Sequence, residues 1–323
     1  MGMLIDGTWT NDDERFRYSR SGEFQRTESV YRKRVTADGS SGFKAEPGRY
    51  HLFVAWSCPW AHRAAIFRKL KKLDNVISIS YADGPRDQGW SYSKPGVEGI
   101  EPIDGWFRLH QVYSASDPNS TSRVTVPTLW DKKTRVVVNN ESSEIIRMLN
   151  SEFNAFTNDS TDYYPAELRA QIDEINELVY GHINNGVYRA GFARSQEAYE
   201  QAARRVFVGF DRCEQILDKS RYLCGTRITE ADWRAFPTLV RFDPIYHGHF
   251  KCNLRQLRDY PNLFNFMLEL YQHPDVGETL DIEKFKKGYY GGQSNVNPLG
   301  IVPIGPEVDY TKKHDRGRLP KAA

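Results

Sequence analysis

The apolar and polar positions in the first part of the chain predict a polar extension followed by a strand–helix–strand unit. Residues 1–48 mix basic and acidic side chains and contain few apolar runs, which predicts an extension that is either wrapped on a core or partly mobile. From Tyr50 the run YHLFVAW is almost continuously apolar, which is typical of a strand buried on both faces. Apolar residues then recur at helical spacing between Ala61 and Leu70, and Pro59 is a helix-start signal. Since NVISISYAD predicts a second strand, the pattern indicates a βαβ unit that opens an α/β domain.

The next stretch predicts a long loop, two more strands and a short helix. Residues 83–122 are rich in Gly, Pro, Ser and Asp and show little periodicity, and loops of this length are often functional. RVTVPTLWD and TRVVVNN predict two strands, and ESSEIIRMLNSEF predicts a helix with apolar positions at Ile145, Ile146 and Leu149. We place these elements in the same domain as the βαβ unit.

Beyond a polar linker, the apolar period is helical. Apolar residues step by three or four positions along 168–179 and along 198–217, which is typical of amphipathic helices with one buried stripe. Thr229 and Asp232 in TEAD indicate a capped helix start, and NLFNFMLELYQHP predicts a further helix. We therefore divide the chain into an extension over 1–48, an α/β domain over 49–153, an all-helical domain over 154–288 and a Gly/Pro-rich tail over 289–323.

Charge and cysteine content narrow the class of protein. Of the 323 residues, 44 are basic and 42 are acidic, and this balance argues against an electrostatic nucleic-acid binder. No stretch approaches the ~20 apolar residues of a membrane helix, and the start lacks the regions of a secretory signal, so we expect no membrane partner. The cysteines are too few and too scattered for a disulfide framework, which favours free thiols in the reducing cytoplasm. They are Cys58, Cys213, Cys224 and Cys252.

Cys58 follows a predicted buried strand and opens a predicted helix. The N–H groups and the macrodipole of a helix N-terminus stabilise a thiolate, and cysteines in such positions can have pKa values of ~3.5–7.5. His62 and Arg63 can add positive potential there. A small buried hydrophobe is the commoner fate of a free cysteine and is our interpretation of the other three, but the context of Cys58 favours a nucleophile. Ala61 stands where a dithiol oxidoreductase carries its second cysteine, so a mixed disulfide formed at Cys58 needs an external thiol to resolve it.

The tripeptide VPT at 126–128 is a second candidate element. In thioredoxin-like folds a cis proline before the third strand presents the backbone of the preceding residue to a bound peptide-like thiol. An X-Pro bond is ordinarily trans, but the strand context after RVT favours cis for Pro127.

Glu141 and Ser142 form a third element at the start of a predicted helix. Ser142 can cap the helix, and the exposed N–H groups can bind a carboxylate. Glu141 can accept a hydrogen bond from an ammonium group. Together they suit the zwitterionic end of a γ-glutamyl group, although the pair taken alone favours a plain N-cap.

Several long motifs carry a family resemblance, in order and over about residues 56–306. They are SCPWAHR, GWSYS, RVTVPTLWD, VVNNESSEIIRMLN, TEADWRAFPTLVRFD and KKGYYGG…NPLGIVPIGP. With these motifs the chain resembles the xi class of glutathione transferases, the glutathionyl-hydroquinone reductases. The resemblance implies an α/β thioredoxin-like N-terminal domain, an all-α C-terminal domain and a homodimer.

The resemblance also implies roles for single residues. It makes Cys58 the catalytic nucleophile in CPWA. It implies that six residues hold glutathione, namely Trp90, Arg123, Val124, Pro127, Glu141 and Ser142. It implies that three tyrosines line the acceptor pocket, namely Tyr188, Tyr246 and Tyr289. The Tyr289–Tyr290 doublet leaves the register open between its two members, and Thr128 stands where the family is expected to carry valine.

The implied reaction removes glutathione from a glutathionyl-hydroquinone through a Cys58–glutathione disulfide, which a second glutathione releases as glutathione disulfide. Glutathione is thus a co-substrate, and we expect no metal and no nicotinamide. One alternative with the same cysteine is an omega-like thioltransferase or dehydroascorbate reductase, which has no need of the three tyrosines. Another is a non-catalytic interaction module of the same fold, against which the CPWA motif argues.

Overall fold

The computed structural model describes residues 2–12 and 17–321, which fall into two compact units. The first unit comprises 2–12, Arg17 and Arg26–Thr161, and the second comprises Tyr18–Gln25 and 162–321. Residues 1 and 13–16 of the predicted extension, and residues 322 and 323 of the predicted tail, lie outside the described residues.

The first unit combines short strands with three helices. Its strands are β1 (Met3–Ile5), β2 (Thr8–Thr10), β3 (Tyr50–Ala55), β4 (Ser78–Ala82), β5 (Ser91–Tyr92), β6 (Phe107–Arg108), β7 (Ser122–Arg123), β8 (Thr128–Asp131) and β9 (Val136–Asn139). Its helices are α1 (Pro59–Leu70), α2 (Leu109–Ser116) and α3 (Ser142–Ser151). The strands form a four-stranded sheet in the order β4-β3-β8-β9, a three-stranded sheet in the order β2-β1-β7 and the pair β5-β6.

The four-stranded sheet confirms the predicted α/β architecture. All six residues of β3 are buried, as the continuous apolar run predicts. β3 runs parallel to β4, and α1 makes the crossover between them, since parallel neighbours cannot be joined by a tight turn. β8 pairs antiparallel with both β3 and β9, and α1 packs against β3 and α3. The carboxyl end of β3 therefore leads directly into the start of α1.

The prediction of a long loop over 83–122 is wrong, whereas the N-terminal extension packs on this unit, in agreement with one of its two predicted alternatives. The stretch 83–122 contains α2 and the strands β5 and β6, and the residues 2–12 of the predicted extension form a β1–β2 hairpin whose first strand pairs with β7. These elements are only two to eight residues long, too short for a period to stand out in a polar sequence. α2 is fixed instead by its start, where the Gln111 side chain accepts a hydrogen bond from the Arg108 N–H at 2.8 Å.

The second unit is helical, as the sequence predicts. Its helices are α4 (Arg169–Leu178), α5 (Gly186–Gly191), α6 (Gln196–Lys219), α7 (Glu230–Arg241), α8 (Pro261–Tyr271) and α9 (Ile282–Lys286). The apolar stripe of α6 is buried from Ala198 to Leu217. The predicted cap of α7 is confirmed, because the Thr229 N–H donates to the Asp232 carboxylate at 2.7 Å. Among the described residues, no helix has both the length and the apolarity needed to cross a membrane.

Three π-helical turns interrupt this helical pattern, at Val179–Asn184, Phe242–Tyr246 and Lys287–Gly291. Such turns widen a helix locally and are frequent at functional sites. Each of the three tyrosines singled out by the sequence lies in one of these turns or within a few residues of it. The turns therefore set the directions in which the tyrosine side chains leave the backbone.

Candidate active site

Cys58 is the N-cap of α1. Its backbone is extended (φ −83°, ψ 114°), and its Sγ accepts a hydrogen bond from the Ala61 N–H at 3.4 Å. An N-cap sulfur in this position faces the positive end of the helix dipole. Cys58 is partly exposed, whereas the other three cysteines are buried. The predicted position of Cys58 at a helix N-terminus is confirmed.

The other three cysteines differ from Cys58 in their surroundings. Cys213, Cys224 and Cys252 are buried, and burial raises the pKa of each thiol to about 12. At neutral pH they remain protonated and behave as small apolar side chains.

The Val126–Pro127 peptide bond is cis, as predicted, and brings the backbone of Val126 to the cysteine. The Val126 carbonyl oxygen lies 3.4 Å from Cys58 Sγ. Pro127 leads into β8, where Thr128 is buried and its hydroxyl donates to the Thr125 carbonyl at 2.6 Å. The Thr128 hydroxyl also lies 3.0 Å from that of Tyr113, so its hydrogen bonds are made inside the first unit.

The start of α3 differs from the prediction. Glu141, not Ser142, is the N-cap residue, because the extended backbone of Glu141 (φ −102°, ψ 113°) lets its carboxylate accept from the Ser143 N–H at 3.2 Å. Ser142 is the first helical residue and is buried. Its hydroxyl accepts from Arg63 Nη1 at 3.4 Å, a contact that links α1 to α3. The guanidinium of Arg63 in turn lies over the ring of Trp60, 4.7 Å from its centroid.

The remaining predicted glutathione residues lie on other elements of the same unit. Arg123 belongs to β7 and pairs with Met3 in the ladder of β1. Val124 follows it and is buried. Trp90 precedes β5, is 7% exposed, and has the guanidinium carbon of Arg86 3.8 Å from its ring centroid. The structure thus places all six predicted residues in the first unit, together with Cys58.

The three predicted tyrosines meet in the core of the second unit. The Tyr289 hydroxyl lies 2.5 Å from that of Tyr188 and 2.8 Å from that of Tyr246, so it is the centre of a three-hydroxyl chain. All three side chains are buried. Burial raises the pKa of Tyr246 and of Tyr289 well above the ordinary phenol value, so both stay neutral and keep a proton to donate.

Tyr290 takes a different direction from its neighbour. Its hydroxyl donates to the carbonyls of Pro244 and Ile245 at 3.3 and 3.4 Å. Tyr289 is therefore the member of the doublet that joins the hydroxyl chain.

Two residues of this cluster were not predicted. The ring of Phe250 packs among all three tyrosines, with its centroid 5.4 Å from those of Tyr188 and Tyr246 and 5.7 Å from that of Tyr289. His249 packs against Tyr289 and hydrogen-bonds Gln293 at 2.9 Å. The only sequence signal was their place three and four residues after Tyr246, and it does not separate them from ordinary core residues. Within 2–12 and 17–321, no group of three or more His, Cys, Asp or Glu side chains is arranged to hold a metal ion.

Comparison with known proteins decides the family. The glutathione S-transferase N-terminal domain matches residues 57–152, and the C-terminal domain matches residues 196–268. The glutathionyl-hydroquinone reductase PcpF of Sphingobium chlorophenolicum is 51% identical over 308 residues, 95% of this chain and 96% of that protein. The xi class glutathione transferase of Natrialba magadii superposes with a TM-score of 0.90 at 40% identity, covering 100% of this chain and 98% of that one. The chain belongs to the xi class of glutathione transferases.

A further relative, a glutathione transferase homologue, has been solved with glutathione. The glutathionyl-hydroquinone reductase YqjG of Escherichia coli K12 is 46% identical over 325 residues, 98% of each chain. Its glutathione-bound structure superposes with a TM-score of 0.87 at 44% identity, covering 98% of this chain and 99% of that one. The predicted family and the predicted fold class are both confirmed.

Proposed function

We propose that this xi class enzyme reduces glutathionyl-hydroquinones to hydroquinones, with glutathione as co-substrate. The observation that carries the proposal is a single partly exposed thiol, Cys58, at a helix N-terminus, with Ala61 where a second thiol would resolve a disulfide. Such a site can take glutathione from a donor but needs another thiol to release it. The names of PcpF and YqjG support the same activity.

The reaction runs in two displacements. The Cys58 thiolate attacks the sulfur of the aryl thioether, so that a Cys58–glutathione disulfide forms and the sulfur–aryl bond breaks. The aryl carbon keeps the bonding electron pair and takes up a proton, which gives the hydroquinone. A second glutathione thiolate attacks the disulfide, releases glutathione disulfide and restores the Cys58 thiolate. The sum consumes one glutathione and needs neither a metal nor a nicotinamide.

The proposed roles of the glutathione residues are those that the resemblance to the xi class implies. The Glu141 carboxylate accepts a hydrogen bond from the ammonium group of the γ-glutamyl residue of glutathione. The N–H groups in the first turn of α3, at Ser142, bind the carboxylate of the same γ-glutamyl residue. Arg123 supplies charge and Val124 supplies backbone groups. Pro127 holds the backbone beside Cys58, and Trp90 packs on the tripeptide.

The three tyrosines of the second unit are proposed to bind the hydroquinone part of the substrate. Charge moves through the ring as the sulfur–carbon bond breaks, and the phenolic oxygens then need hydrogen-bond donors. Tyr188, Tyr246 and Tyr289 form one connected set of neutral hydroxyls, which is suited to donate a hydrogen bond without becoming charged. A thioltransferase acting on a disulfide has no such oxygen to stabilise.

The direct test is incubation with glutathione and a glutathionyl-hydroquinone while hydroquinone release and glutathione disulfide formation are followed. We expect the two products in equal amounts, and none from Cys58→Ala. If the enzyme reduced only small mixed disulfides or dehydroascorbate, the omega-like alternative would replace the proposal. If it reduced nothing but bound glutathione, it would act as a binding module.

The proposal also includes the oligomeric state of the protein, its compartment, its partners and the division of its chain. The protein works as a homodimer, as the resemblance to the xi class implies, and near-neutral net charge permits the association. It works in the cytoplasm, where free thiols are kept reduced. Neither a membrane nor a nucleic acid is among its partners. The parts of the chain proposed from the sequence remain 1–48, 49–153, 154–288 and 289–323.

A further inference from the structure

The polar N-terminal part of the chain contacts several segments that carry predicted glutathione residues. The contacts come from two stretches of the first unit, 2–12 and 29–33, which we call the N-terminal clamp. Nothing in the family-derived site includes these residues. Their contacts lie at β7, at the loop before β5 and at the start of α3.

The first contact fixes the backbone of Arg123. β1 pairs antiparallel with β7, with Met3 opposite Arg123 and Leu4 opposite Ser122. Beyond the ladder, the Gly7 N–H donates to the Ser120 carbonyl at 3.0 Å. β7 has only two residues, and in the three-stranded sheet its ladder partner is β1. The hairpin therefore supplies the ladder that holds the backbone of Arg123 and leads into Val124.

The second contact fixes the loop that carries Trp90. The Trp9 ring of β2 stacks on His110 with the centroids 4.9 Å apart. Gly89 lies so close to Trp9 that an added Cβ would come within 2.8 Å of the indole ring, and its positive φ (+79°) already suits glycine. The Asn11 amide donates to the Asp87 carbonyl at 2.9 Å. The residue directly before Trp90 is thus packed under the hairpin.

The third contact reaches a binding group itself. The Ser29 hydroxyl donates to Glu141 Oε2 at 3.1 Å and also lies within 3.3 Å of the Asn140 carbonyl oxygen. The backbone of Tyr31 is tied to Asn140, because the Asn140 N–H donates to the Tyr31 carbonyl at 3.1 Å. Since Oε1 of Glu141 accepts from Ser143, Ser29 and Ser143 together hold both oxygens and fix the plane of the carboxylate.

We infer that the N-terminal clamp positions the glutathione-binding groups, and that Ser29 and Trp9 are positioning residues for Glu141 and Trp90. The inference rests on the proposed glutathione roles of those two residues. A carboxylate or ring held in its bound orientation loses less freedom when the ligand binds, so the clamp should act on glutathione affinity. The three contacts described are with binding groups and their loops rather than with the reacting sulfur, so we expect the clamp to leave the chemical step unchanged.

Ser29→Ala in the full chain is the sharpest test, with Ser29→Thr as the conservative variant. Ser40→Ala is the matched control, because Ser40 belongs to the same polar stretch but is exposed, and its hydrogen bonds among the described residues are to Asp38. Reduced glutathione is titrated calorimetrically, and glutathione KM and kcat are measured with a glutathionyl-hydroquinone. We expect Ser29→Ala to weaken glutathione binding and raise its KM by about three- to tenfold at unchanged kcat, as for loss of one hydrogen bond to a charged group that stays partly solvated. Ser29→Thr and Ser40→Ala should match the wild type.

Trp9→Leu and Trp9→Phe test the hairpin in the same assays. Trp9→Phe keeps a ring on His110 and should stay within about twofold of the wild type, while Trp9→Leu should weaken glutathione binding by about three- to tenfold. The Ser29 variants keep the inference testable if Trp9→Leu does not fold. Unchanged affinity in Ser29→Ala, or an equal change in Ser40→Ala, would overturn the inference. Calorimetry separates it from the proposed function, because a protein that binds glutathione but releases no hydroquinone fails only the latter.

Discussion

The Tyr289→Phe variant tests the hydroxyl chain most directly. The substitution removes one oxygen and keeps the ring, so no cavity of ring size forms in the core. The lost hydroxyl is the shared partner of Tyr188 and Tyr246, at 2.5 and 2.8 Å. Removal of this single oxygen therefore eliminates two hydrogen bonds between buried side chains.

The size of the effect follows from counting these bonds. A buried hydrogen bond contributes about 1 kcal/mol net, so Tyr289→Phe should lower the free energy of unfolding by about 2 kcal/mol and Tyr246→Phe by about 1 kcal/mol. Removal of one preorganised donor from a developing oxyanion typically slows the reaction by about 10²–10³-fold. We therefore expect hydroquinone release by Tyr289→Phe to fall by about 100-fold.

The assay compares two donors of glutathione. One is a glutathionyl-hydroquinone, and the other is the mixed disulfide of glutathione and 2-mercaptoethanol, which has no phenolic oxygen. Reduction of the mixed disulfide should fall by less than about threefold, since the hydroxyls act on the quinol. Urea unfolding of the same samples gives the stability of each variant.

Tyr290→Phe is the matched control. It removes the neighbouring hydroxyl, whose two contacts are to backbone carbonyls at 3.3 and 3.4 Å and not to the chain. It should keep both activities near the wild-type values. Equal losses on the two donors in Tyr289→Phe would show that the tyrosines serve packing alone, and an equal effect of Tyr290→Phe would refute the assignment of Tyr289.

Three other predictions concern the thiols and the response to acid. Cys58→Ala should abolish hydroquinone release, whereas Cys213→Ala should lower stability by about 1 kcal/mol and keep the turnover of the folded enzyme, as activity assays and urea unfolding can check. Iodoacetamide should label Cys58 first, and should label Cys224 and Cys252 only after unfolding. The reason is that burial raises the pKa values of Cys224 and Cys252 to about 12. Equal labelling of the three cysteines in peptide mapping would contradict this prediction. Burial lowers the pKa of His51 to about 3, whereas the pKa of an unfolded histidine is about 6.5. Below about pH 6.5 the unfolded state therefore binds a proton that the folded state does not bind. The free energy of unfolding should fall for this reason by about 2 kcal/mol between pH 7 and pH 5. His51→Gln should flatten that loss in urea unfolding at the two pH values, and parallel curves would exclude the histidine as its source.

The parts of the fold that the sequence predicts are those with a long or continuous apolar signal. The continuous apolar run predicts β3, whose residues are all buried, and the apolar stripe from Ala198 to Leu217 predicts α6. Cys58 was found for a local reason too, since strand, cysteine, proline and helix follow one another along the chain. In each case the physical cause of the structure lies within a few turns of sequence.

At Glu141 and Ser142 the local sequence does not determine which residue caps the helix. Serine is the commoner cap, so the hydroxyl was expected to take that role. In the structure the Glu141 carboxylate caps the helix, and the Ser142 hydroxyl instead meets Arg63 from α1. Residue type alone could not predict this, because the partner of Ser142 is 79 positions away.

The sequence does not predict the β1–β2 hairpin of the N-terminal clamp, because the conformation of this hairpin also depends on a partner that is distant in sequence. β1 and β2 have three residues each, and β1 pairs with β7 more than a hundred positions away. A strand of that length is not stable by itself, so its conformation comes from the partner and leaves almost no trace in its own sequence. The polarity that left open an extension wrapped on a core or a partly mobile one is explained by contacts made through single side chains, such as that of Ser29 with the Glu141 carboxylate. In a site built this way, the groups that touch the ligand can be found from motifs, whereas the groups that hold them can be found only from the fold.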